Sequence, residues 1–144
     1  MLIALPLLVI PVVLYNIVVL SGLGDTGLVG GGMAAADEAL RQSLFSIPMA
    51  SGASWNVGIG DLIVFFSLIL LFFELLKSTS SQKVAIVNHA LSMILFVVCL
   101  VEFLLIRGFA TSTFFLITTM VMLDVLAGFI VTIISSRRDM DFGA

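Results

Sequence analysis

Four runs of the chain are apolar for long enough to cross a bilayer as helices, and this property limits the available folds more than any other. A hydrocarbon core of about 30 Å takes roughly 20 apolar residues in helical form, each advancing about 1.5 Å. The runs extend from about Leu2 to Leu20, Ile59 to Leu76, Val84 to Ile106 and Ser112 to Ile134. In lipid, every backbone N–H and C=O must find a partner within the protein, which favours helices over open strands. The expectation is therefore an all-α fold: a four-helix transmembrane bundle forming one integral membrane domain over 1–144, with a long loop over 21–57.

Composition agrees, since 61% of the 144 residues are hydrophobic and only 10% charged, too little charge to cover a water-soluble domain of this length. The net charge of −3 and the lack of a basic run exclude a nucleic-acid partner. The lone cysteine, Cys99, can build neither a disulfide framework nor a cysteine metal site and reads as a small packing residue. The first run could alternatively be a signal peptide, because "SGLGD" offers small residues for cleavage, but it lacks a positive n-region. Read as a span, it should bend at Pro6 and Pro11.

Charge sets the expected direction. Lys77 and Lys83 lie between the second and third runs, and Arg137 and Arg138 follow the fourth; with four spans these share a side with the N-terminus. The other side carries Arg41 and Arg107 with Asp25, Asp37 and Glu38. The positive-inside rule then places both termini in the cytoplasm. Trp55, just before the second run, stands where an interfacial anchor belongs. The long loop opens with the glycine-rich "SGLGDTGLVGGG" and continues as "AADEALRQSLFSIP". Asp37 as N-cap, Leu40, Leu44 and Ile47 at helical spacing and Pro48 as a stop predict a short amphipathic helix, lying on the membrane surface, on a neighbour or over its own bundle.

Five ionisable residues within the runs are the functional candidates: Asp61, Glu74, His89, Glu102 and Asp124. Glu74 and His89 fall about 9 Å from the centres of successive antiparallel spans, which predicts a Glu74–His89 clasp, with Asn88 adding a hydrogen bond; a titrating role is the alternative. Asp61 and Glu102 share a depth near the other surface, with Asn16, and should hold a cation between them: Arg107, Arg41, or an ion. Asp124, close to the centre of the fourth run, shares a helical face with Thr113, Gly128, Thr132 and Ser135. That small, polar face points to a helix interface, where a protonated Asp124 would hydrogen-bond within the bundle or to a second copy. The competing reading makes Asp124 a transport residue.

The chain has no phosphate-binding loop, no nucleophile beside a base, no zinc-type spacing and, with one histidine, no means of bis-histidine haem ligation. "STSS" at 78–81 reads as a polar turn. No catalytic, cofactor-binding or metal residue is assigned, and a non-enzymatic protein is expected. The stretches "NHALSMILFVVCLVEFLL", "GFATSTFFLITTMVMLDVLAGFIVTI" and "RRD", within about Ile69 to Asp139, resemble small four-span bacterial inner-membrane proteins without an assigned function. The resemblance implies a multi-pass inner-membrane location and no activity. Two functional classes follow. One is an accessory or scaffold subunit in a homo-oligomer or a larger membrane complex, surrounded by lipid. The other is a proton- or cation-conducting unit using the intramembrane acids.

Overall fold

The computed structural model describes residues 5–20, 32–77 and 82–142, with the side chains of 20, 32–35, 82–85, 135 and 138–142 left aside. The glycine-rich stretch over 21–31, the turn at 78–81 and the side chains of Lys83, Ser135 and Arg138 therefore lie outside the described residues. Helix α1 covers Val9–Leu20, α2 Gly32–Arg41, α3 Ile59–Lys77, α4 Gln82–Leu105 and α5 Ser112–Phe142. Strands β1 (Ser43–Pro48) and β2 (Ser54–Gly58) lie between α2 and α3, and a 3-10 turn at Arg107–Phe109 joins α4 to α5. Windows within α3, α4 and α5 are long and apolar enough to cross a membrane, whereas the apolar part of α1 is shorter.

The fold is not all-α. β1 and β2 form an antiparallel hairpin in the segment expected to be an amphipathic helix. That helix is displaced: it runs from Gly32 to Arg41, so Asp37 lies within it rather than capping it, and Leu44 and Ile47 belong to β1. Local chemistry explains the change. "LFSIP" and "SWNVG" carry aromatic and β-branched residues that suit a pleated ribbon, and Pro48, at the end of β1, ends the strand without breaking its ladder. The reversal closes through Met49 N to Ala53 O at 2.8 Å and Gly52 N to Met49 O at 2.9 Å. Gly52 turns the chain at φ 83°, a conformation that costs glycine no Cβ clash.

α5 is the central element, packed against both α4 and α3, with α1 lying mainly against α3. Each packing stripe has helical spacing. On α3 it is Gly60, Ile63, Ser67, Leu71 and Glu74; on α4, Asn88, Ser92 and Cys99; on α5, Phe114, Ile117, Val121 and Asp124. Large apolar side chains face outward instead, among them Phe65 at 63%, Ile94 at 62% and Leu104 at 68% exposure. An apolar outer surface around an interior that also buries Glu74, Asn88, Ser92 and Asp124 is unlike the distribution of a water-soluble domain. At the hairpin end, Tyr15, Phe109 and Phe114 stack within 5.4 Å of one another, and the Tyr15 hydroxyl donates to Gly108 O at 3.2 Å and pairs with Thr111 Oγ1 at 2.5 Å.

Candidate functional site

Two sets of polar groups stand out, one in the half of the bundle away from the hairpin and one beside the hairpin. The first lies ahead of α1, which starts at Val9: the carbonyls of Pro6 and Leu7 accept from Val9 and Ile10, but the Leu7 N–H has no helical acceptor. α3 supplies one. Glu74, fully buried, accepts the Leu7 N–H at 2.6 Å, and Lys77, three residues on, donates Nζ to Leu5 O at 2.5 Å and to Glu74 at 3.2 Å. A carboxylate ahead of α1 also meets the positive end of its dipole. Asn88 Nδ2 completes the arrangement by donating to Glu74 at 2.5 Å, tying α4 to α3.

The expected Glu74–His89 clasp does not form. The partner on α4 is Asn88, because α4 turns the preceding residue toward Glu74 and aims the imidazole at α5. His89 lies against Gly128: a Cβ added there would stand 2.5 Å from Nδ1 and 3.1 Å from Cγ. Nδ1 of His89 and Oδ1 of Asn88 are buried without hydrogen-bond partners. Four residues along α4 from Asn88, Ser92 Oγ donates to Asp124 Oδ2 at 2.5 Å, and both residues are buried. Asp124 thus meets a helix of its own chain. Of the other residues on its face, Thr113 faces Gly60, Gly128 faces His89, and Thr132 is exposed with its hydroxyl returned to Gly128 O at 2.9 Å.

The hairpin end departs from expectation. Among the described residues, neither Arg41 nor Arg107 joins Asp61 to Glu102. Asp61 Oδ2 accepts the Gly58 N–H at 2.9 Å and so satisfies the start of α3, whereas Glu102 on α4 receives Asn16 Nδ2 at 3.4 Å. Arg41 pairs through Nε with Asp37, one helical turn away, at 2.7 Å and reaches neither acid; Arg107 is exposed and makes no ion pair among the described residues. No three His, Cys, Asp or Glu side chains converge among the described residues in a way that could hold a metal.

Asp61 instead lies on a groove of about 640 Å³ between α2, the hairpin, α3 and α5. Ile47, Val64, Phe65, Leu68 and Leu116 make it apolar, with Asp37, Arg41 and Asp61 also on its lining. Two glycines allow the close approaches here: a Cβ on Gly58 of β2 would lie 2.7 Å from Leu40 O of α2, and one on Gly60 of α3 2.7 Å from Thr113 Oγ1 of α5 and 3.3 Å from Leu40 O. Sequence reasoning missed both the groove and the support of residues 5–7 by α3. Pro6 and Pro11 within an apolar run were the available signal for the latter, since broken backbone in lipid demands outside partners. Comparison with protein-family models, curated proteins and solved structures finds no match to the chain.

Proposed function

We propose that the chain is a non-enzymatic integral membrane accessory or scaffold subunit, acting through helix–helix contacts in a homo-oligomer or a larger membrane complex. The observation that carries this reading is the use made of the buried polar groups. Glu74, Asn88, Ser92 and Asp124 are occupied in contacts that fasten α1, α3, α4 and α5 to one another. Such groups serve assembly where lipid cannot solvate them. α5 adds a surface for a neighbour: beyond Asp124 its Leu126, Phe129, Ile130 and Ile133 are exposed. With α1 counted as a fourth span, the positive charges of Lys77, Lys83, Arg137 and Arg138 favour a bacterial inner-membrane orientation with both termini in the cytoplasm.

A second reading, proton or cation conduction, draws on one observation. Lys77, Glu74, Asn88, Ser92 and Asp124 form a polar succession from the end of α3 toward the middle of α5. From Asp124 toward the hairpin, however, Val121, Met120, Ile117 and Cys99 are apolar, and the buried hydroxyls of Ser67 and Thr118 turn back to their own helices, to Ile63 O and Phe114 O.

Reconstitution separates the readings. Liposomes containing the chain should carry no proton or cation flux above empty vesicles, and a cross-linker at Phe129→Cys in native membranes should trap a second copy or another membrane protein. Flux that disappears in Asp124→Asn would overturn the subunit reading, as would failure to trap any neighbour from several positions on this face.

A further inference from the structure

The groove beside the hairpin combines an apolar wall with a charged rim, as an amphiphile requires. Along α3 its lining runs from Asp61 to Leu68, roughly 10 Å of helix. In the membrane orientation proposed above, on which this inference rests, that distance covers about two thirds of one hydrocarbon leaflet. Phe65, Leu68 and Leu116 are exposed along this depth and present a surface that suits an acyl chain. Trp55, half exposed on β2, lines the same groove as Asp61, and an indole favours the polar–apolar boundary.

The rim selects the head group. Its charges are Asp37, Arg41 and Asp61, two negative and one positive. Asp37 and Arg41 pair through Nε, so the remaining guanidinium N–H groups have no partner among the described residues. Asp61 spends one oxygen on Gly58 N–H, and its other oxygen has no partner among the described residues. The rim therefore presents an outward acceptor and outward donors, with a net negative balance. We propose that this groove binds one phospholipid with a primary-amine head group, of the phosphatidylethanolamine type, from the leaflet at the hairpin end. The ammonium donates to Asp61, the phosphate accepts from Arg41, and one acyl chain lies along Phe65 and Leu68. A net anionic head group would meet Asp37 and Asp61 without an ammonium to offset them.

Native mass spectrometry of the detergent-purified full chain, given equal phosphatidylethanolamine and phosphatidylglycerol of matched acyl chains, tests the proposal. One phosphatidylethanolamine should be retained in preference. Asp61→Asn, which keeps an acceptor for Gly58 N–H, should lower that preference roughly threefold, the scale of one exposed ion pair. Leu116→Trp, which fills the groove, should remove the adduct of either lipid. Equal retention of both lipids, an unchanged preference in Asp61→Asn, or a lipid-free dimer that covers the groove would each overturn it. Carbonate extraction of membranes distinguishes the two levels: a chain released from the membrane refutes the integral-membrane reading, whereas an integral chain without lipid preference refutes only this site.

Discussion

The carboxylate of Glu74 receives the backbone N–H of Leu7 at 2.6 Å across 67 residues of sequence. A side chain of α3 thereby takes the place of the missing helical turn ahead of α1, while Lys77 serves the carbonyl of Leu5. Glu74→Leu should destabilise the folded chain by about 3 kcal/mol, because the N–H, the amide of Asn88 and the ammonium of Lys77 all lose a buried partner. Glu74→Gln, which retains an acceptor, should cost less. Reversible unfolding in mixed micelles measures both, and equal losses would remove the carboxylate from its supporting role.

Asn88, rather than His89, should be energetically coupled to Glu74. A double-mutant cycle with Glu74→Gln and Asn88→Ala should depart from additivity by about 0.5 kcal/mol or more, as groups in one hydrogen-bond network do. Additive losses would mean that the 2.5 Å contact does not stabilise the fold.

Asp124→Leu should weaken the packing of α5 on α4 by about 0.6 to 2 kcal/mol, the scale of interhelical hydrogen bonds in membranes. Asp124→Asn should be nearly neutral, because its amide oxygen still accepts from Ser92. Ser92→Ala should reproduce the Asp124→Leu loss, and the two losses should not add. A neutral Ser92→Ala would show that Asp124 finds its stabilisation elsewhere.

Gly128→Ala should cost about 1 to 3 kcal/mol by overpacking. The new methyl would stand 2.5 Å from Nδ1 of His89 and 3.3 Å from its Cβ, so the root of the side chain must move as well as its tip. His89→Ala in the Gly128→Ala background should recover stability. If the second substitution worsens the first, the imidazole is not the obstacle.

The proposed orientation predicts that Ser51→Cys, in the hairpin turn, reacts with an impermeant maleimide in intact cells and that Ser80→Cys does not. The reverse pattern would invert the topology. The buried native Cys99 adds no surface background.

Long apolar runs made α3, α4 and α5 legible from sequence, because lipid-length helices need little besides apolar character and length. The hairpin was hidden because Leu40, Leu44 and Ile47 fit a helical period, and the strand preference of "LFSIP" becomes decisive only when "SWNVG" pairs with it. Among the site residues, depth arithmetic correctly set the levels of Glu74 and the Asn88–His89 pair but could not choose between these neighbours. They differ by about 100° around the helix, and that rotation is fixed by packing on α5. Asp124 had a legible address on the small face of α5. Its partner Ser92 did not, since a serine in an apolar run carries no directional signal of its own.

The support of residues 5–7 by α3 also imposes an order on biogenesis. At about 5 to 20 residues per second, the ribosome adds Glu74 roughly 3 to 13 s after Leu7. Throughout that interval the non-helical backbone ahead of α1 has not yet met its acceptor and donor. On the membrane reading proposed above, that backbone waits in the hydrated translocon, at the lipid boundary or against an insertion chaperone until α3 arrives. On the same reading, the support of residues 5–7 makes insertion of the first apolar segment contingent on α3, and a nascent chain arrested before Glu74 should remain cross-linkable to the insertion machinery longer than one arrested after Lys77.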